Sequence, residues 1–134
     1  MSPLGIRLNN PGNIEKGLPW KGLADVQAHA RFATFKDPEW GIRAIAKILN
    51  TYSKKYRIKT IKGAISRWAP SHENPTAAYI KNVAEWAGFS ASEVLDFSDP
   101  IVLAKIAKAI TRQEQGIQPY PDELFIKGTK LAFE

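Results

Sequence analysis

Residues 99–116 read DPIVLAKIAKAITRQEQG, and this stretch decides the fold. Asp99 or Ser98 can cap a helix, Pro100 suits its first turn, and Gly116 suits the position just past its end. Between them Leu103, Ile106, Ala107 and Ile110 recur at helical spacing, which predicts a long amphipathic helix with one apolar stripe. Glu114 falls on the same face, at the helix end. Apolar surroundings and the negative end of the helix dipole both disfavour a charged carboxylate there. A carboxylic acid kept protonated near neutral pH is what glycosidic cleavage requires as a general acid. The same pattern also fits a helix-terminal Glu that simply reaches water.

Working outward, the same periodicity predicts a mainly α chain of about six helices. Asp37 and Pro38 open one that carries Trp40, Ile42, Ala44, Ile45, Ile48, Leu49 and Tyr52 through about Lys54. A shorter one runs from Thr60 to Trp68. A third starts at Pro75 or Thr76 and closes at Gly88. A short turn of helix is expected over Ala91–Leu95, capped by Ser90. The long helix follows, and Pro121–Ala132 reads as the last. Residues 1–34 are rich in Gly, Pro and Asn, with NNPGN and GLPWKG as turn sequences, so an irregular N-terminal lobe is expected. Arg31–Thr34 reads as a short extended piece of a small hairpin. Residues 1–134 form one domain, without repeats or linkers.

The chain has 134 residues, 44% of them apolar and 24% charged, as in a soluble globular domain with one core. The absence of cysteine excludes a disulfide scaffold, a thiol nucleophile and Cys-ligated metal. His29 and His72 lie far apart and show no metal-ligand spacing, so no metal and no cofactor is expected. No phosphate-binding loop, dinucleotide fingerprint or nucleophile elbow occurs. A net charge of +6 favours polyanionic partners. The densest cations are Lys47, Lys54, Lys55, Arg57, Lys59 and Lys62, which read either as a solvated face or as an attraction to an anionic envelope or nucleic acid. No apolar run reaches the ~20 residues of a membrane span. MSPLGIRLNNPGN has no apolar region of a signal peptide. Synthesis in a cytoplasm with separate delivery to the cell wall is expected, and the protein is expected to act as a monomer that is not embedded in a membrane.

Three polar and aromatic groups stand out. Asn10 and Asn13 lie among turn residues near Trp20. Trp68, Glu73, Asn74 and Tyr79 bracket WAPSHENPTAAY. Gln118 and Tyr120 follow Glu114. Amides satisfy sugar hydroxyls and acetamido groups, and aromatic faces cover pyranose rings. These residues are candidate substrate contacts, although each also fits an ordinary turn or core role.

RLNNPGNI, PWKG, FATF, GIRA, LNTY, WAPSHENPTAAYIKNV and RQEQGIQPY resemble a family of small phage and prophage proteins, virion structural proteins or lysins with a lysozyme-like fold. The resemblance covers nearly the whole chain. More distantly, the chain is similar to flagellar-type glucosaminidases and soluble lytic transglycosylases. Those proteins carry a catalytic Glu at a helix end, then an Asn segment with Trp-x-Gly, then an F-x-x-(F/Y) segment entering a helix, then a Tyr facing the cleft. Here NNPGNI with WKG, FATF with GIRA, and WAPSHENPTAAY keep that order, but the Glu motif comes last, as EQG at 114–116. The resemblance therefore implies a circularly permuted lysozyme-like domain. It implies Glu114 as catalytic acid, Tyr79 as the cleft tyrosine, and Asn10 and Asn13 on the substrate-lining segment.

These readings lead to a peptidoglycan-cleaving enzyme, a muramidase or a lytic transglycosylase. Transglycosylation needs a single Glu. For hydrolysis a second carboxylate would come from Glu73, Asp25 or Glu15. The alternative is a non-enzymatic virion, tail or wall-binding protein, with phage virion proteins as partners. A nucleic-acid-binding domain has only the net charge and the lysine cluster behind it, so no specific nucleic-acid partner is expected.

Overall fold

The computed structural model describes residues 2–72 and 74–134; Glu73, a candidate second carboxylate, lies outside them. The described residues form six helices: α1 (Leu4–Arg7), α2 (Pro38–Tyr56), α3 (Ile61–Trp68), α4 (Thr76–Ala87), α5 (Pro100–Gln115) and α6 (Asp122–Leu131). The mainly α architecture is as expected, but two of the short pieces differ. Residues 91–95 are not helical. Their backbone pairs with a neighbouring segment instead. The Lys62 N–H donates to Ala91 O at 2.9 Å, and the Leu95 N–H donates to Lys59 O at 2.8 Å. The sixth helix is the four-residue α1, which no periodicity could announce.

Side-chain caps open α5 and α3, whereas Asp37 before α2 makes no such bond. The Asp99 carboxylate accepts from the Ile101 N–H at 2.8 Å and opens α5. Gly116, at φ 75°, closes it in the left-handed conformation that glycine tolerates. Thr60 caps α3 by accepting from the Gly63 N–H at 3.0 Å. α2 outruns its expected end by two residues and stops at Arg57, which takes a left-handed φ of 57°.

α5 is the axis of the domain and contacts α1, α2, α4 and α6. Leu103, Ile106, Ala107 and Ile110 are all fully buried, as the stripe predicts. Each large aliphatic buried there contributes about 1.5–3 kcal/mol. α6 crosses α2 at close range through Gly128, where a Cβ would lie 2.6 Å from Ile42 Cγ2.

Among the described residues the N-terminal lobe has no sheet, and it is arranged around the segment 31–36. Isolated antiparallel bridges join Glu15 to Phe32 and Leu23 to Phe35. The expected hairpin is thus one extended piece held between two others. The Asn10 amide organises the lobe. It donates to Ile14 O at 2.9 Å and Ala33 O at 2.8 Å, while its oxygen accepts from the Ile14 N–H at 2.9 Å.

Candidate active site

On a helix, residues four apart stack in rows. The row Leu103, Ala107, Thr111 and Gln115 is buried throughout, and it ends on Gln115. The neighbouring row Ile106, Ile110 and Glu114 ends at the rim, where Glu114 is half-buried. The expectation of a carboxylate enclosed by apolar groups is therefore corrected. Glu114 opens onto a cleft of about 680 Å³ lined by Asn13, Glu15, Arg31, Phe32, Trp68 and Asn74 among others.

Two donors hold the Glu114 carboxylate. Asn13 Nδ2 donates to Oε1 at 2.9 Å, and the Tyr79 hydroxyl donates to Oε2 at 2.7 Å. Burial raises the Tyr79 phenol well above its ordinary range, and the charge of Glu114 raises it further. Tyr79 therefore remains a proton donor. It reaches the carboxylate from α4 with its ring only 3% exposed. Asn13 reaches it from the lobe, at a left-handed φ of 50° that asparagine tolerates better than most residues.

Gln115 sets the orientation of Asn13. Its Nε2 donates to Asn13 Oδ1 at 2.9 Å and to Pro11 O at 2.9 Å, and its Oε1 accepts from the Gly5 N–H at 3.0 Å. With Asn13 Oδ1 engaged as an acceptor, only its NH₂ group can face Glu114. Gly5 is required at this point, because a Cβ would collide with Gln115 Nε2 and lie 2.6 Å from Asn13 Oδ1. Sequence reasoning passed over Gln115, Gly5 and Arg31. A glutamine beside a candidate Glu carries no motif, and Gly5 lies 110 residues from its partner.

The remaining candidates divide. Trp68 and Asn74 line the cleft with Glu114, and so does Glu15. Glu15 is bound by Arg31, whose guanidinium donates to it at 2.7 Å and 2.9 Å. Asp25 is exposed and does not line the cleft, which corrects its candidacy. Asn10 is 0% exposed, with its donors and acceptor committed to backbone, so it serves the lobe rather than a substrate. Trp20 packs against the core away from the cleft. Gln118 accepts from the Tyr120 N–H at 2.7 Å and lines a separate hollow with Trp86 and Arg112. Tyr120 packs edge-on against Phe125 at 5.9 Å. Their nearness to Glu114 in sequence does not carry into space, because the chain turns away after Gly116. Among the described residues no cluster suits a metal ion.

No protein-family profile matches the chain. A curated relative does: Protein P5 of Pseudoalteromonas phage PM2 is 39% identical over 134 residues, covering 96% of this chain and 81% of the relative. The chain belongs to the P5 family of phage proteins. Similarity along almost the whole chain takes in both the lobe and the helical body, and therefore both walls of the Glu114 cleft. Among the described residues no helix of this P5 relative is long and apolar enough to cross a membrane.

Proposed function

We propose that this P5-family protein cleaves the glycan strands of peptidoglycan with Glu114 as general acid, on a circularly permuted lysozyme-like domain. The observation that carries the reading is a half-buried carboxylate at the end of the central helix, gripped on both oxygens and facing a polar, aromatic-walled cleft. A carboxyl group has about four lone-pair directions, so both grips leave room for a proton aimed at a glycosidic oxygen. Trp68 supplies a ring face for a pyranose, and Asn74 supplies an amide for hydroxyl or acetamido groups. After leaving-group departure the same Glu114 can act as base. It would activate either water or the substrate's own muramyl 6-hydroxyl, so hydrolysis and transglycosylation both fit. Glu15, which lines the same cleft, would assist a hydrolytic route once released from Arg31.

The test is digestion of purified Gram-negative peptidoglycan by wild type and Glu114→Gln, with mass analysis of the fragments. Wild type is expected to release muropeptides and the variant none. Anhydro-muramyl ends would identify a transglycosylase, and reducing muramic acid ends a muramidase. Full activity in Glu114→Gln would refute the assignment. The second reading, a non-catalytic virion or wall-binding protein, draws on the Glu15–Arg31 ion pair, which engages the other described carboxylate of the cleft. Absence of fragments from both proteins would favour it.

A further inference from the structure

From Trp40 to His72 the chain has no Asp or Glu, while it carries eight Lys and Arg residues. The fold gathers part of this charge onto an aromatic ledge. Arg67 of α3 lies over the Tyr56 ring, with its guanidinium carbon 3.7 Å from the centroid, and 5.6 Å from the centroid of Tyr52. Lys55 Nζ lies 5.4 Å from the Tyr56 ring. Among the described residues neither Arg67 nor Lys55 takes part in an ion pair. Tyr56 is 41% exposed.

The ledge residues follow cleft-lining residues along α2 and adjoin one on α3. Ile48 and Trp68 line the cleft wall. Tyr52 lies one helical turn beyond Ile48 and Tyr56 one turn further, so the row 48–52–56 of α2 runs out of the cleft along one face. Arg67 directly precedes Trp68 on the facing helix. A stacked guanidinium has its plane fixed by the ring beneath it and its N–H donors free to take a carboxylate in bidentate fashion.

We propose that Arg67, Tyr56, Tyr52 and Lys55 form a binding ledge for the acidic side branches of a glycan whose backbone occupies the Glu114 cleft. The inference rests on the glycan-cleaving reading of that cleft and adds a charge requirement to its substrate. The charge layout favours such a ligand over nucleic acid. The cleft's one lining cation among the described residues, Arg31, is already paired with Glu15, so the cleft offers no free positive charge to a chain carrying a phosphate at every unit. A glycan with neutral rings and carboxylate branches can place its rings at Glu114 and its charge at Arg67.

The experiment uses the full chain in the Glu114→Gln background, so that nothing is turned over. Binding is followed by NMR against two probes of equal length: a peptidoglycan oligosaccharide retaining its peptide stems, and a neutral chitooligosaccharide. The stem-bearing probe is expected to bind about tenfold more tightly at low salt, and the preference should shrink as salt rises. Arg67→Gln is expected to remove that preference while leaving the neutral probe's affinity unchanged. Tyr56→Leu should weaken it in the same direction. Lys130→Gln removes one charge from α6 and should leave the preference intact. Equal binding of the two probes, or a preference that survives Arg67→Gln, would overturn the ledge and leave the cleft reading standing. If neither probe moves the Trp68 signals, the glycan reading of the cleft itself fails. Duplex DNA or anionic phospholipid vesicles that shift the ledge signals more strongly than the stem-bearing glycan would overturn the proposal in favour of that partner.

Discussion

Replacing Gln115 with leucine tests the positioning of Glu114 without touching the cleft. Gln115 is 8% exposed and serves three partners at 2.9–3.0 Å: the Gly5 N–H, the Pro11 carbonyl and the Asn13 side-chain oxygen. Leucine fills a similar volume and satisfies none of them. Each buried polar group left unpaired costs about 1–3 kcal/mol. Asn13 borders the cleft and can rehydrate, so the penalty falls mainly on Gly5 and Pro11. The expected loss is about 2–4 kcal/mol, or a drop in Tm of roughly 10 °C for a domain of this size. The amide of Asn13 also loses the bond that orients it, so Glu114 keeps only Tyr79 as a fixed donor. Under the proposed function, muropeptide release at a temperature where the variant is fully folded should fall about tenfold, the scale of one hydrogen bond. Calorimetry gives the first quantity and fragment analysis the second. Gly5→Ala is expected to reproduce both effects, because its added methyl would occupy the place of the Gln115 amide. A Gln115→Leu protein that melts within about 2 °C of wild type would refute the reasoning, since three lost partners cannot be that inexpensive.

Asn10→Ala removes an amide that holds Ile14 and Ala33 from a fully buried site, so a loss of about 2–4 kcal/mol is expected in chemical denaturation, with the lobe failing first. Tyr79→Phe keeps the buried ring and deletes the donor to Glu114, so it should cost only about 1 kcal/mol of stability while lowering muropeptide release. Tyr79 also predicts a pH effect. Its phenol is raised in the fold, so above about pH 10 the unfolded chain releases a proton that the folded chain retains. Stability contributed by this group is complete below that pH and falls as pH climbs past it. Tyr79→Phe should flatten this alkaline loss in denaturation midpoints measured from pH 8 to 11, and an unchanged slope would show that other groups cause it.

The helical body is legible in the sequence because its information is local. The stripe on α5 lies within two turns of each of its members, and Asp99, Thr60 and Gly116 mark their boundaries through bonds to residues two to four positions away. The EQG motif at a helix end likewise drew attention to Glu114. The orientation of that helix end was less legible. Rows four residues apart separate Glu114 from Gln115 by one position, and a periodicity that spans a broad apolar face cannot say which one is swallowed. The surroundings of Glu114 then depend on contacts at separations of 35 and 101 residues.

What this sequence determined by itself is the set of long helices, the irregular lobe and the carboxylate at the end of α5, since capping, periodicity and turn chemistry act over a few residues. Only the tertiary structure decided that Asn10 builds the lobe while Asn13 holds Glu114, that Trp20, Gln118 and Tyr120 lie elsewhere, and that Gln115 ties Gly5 to the site. Those outcomes depend on how the lobe docks on the end of α5. Docking is set by the summed burial and hydrogen bonding of groups a hundred residues apart, which no local pattern encodes.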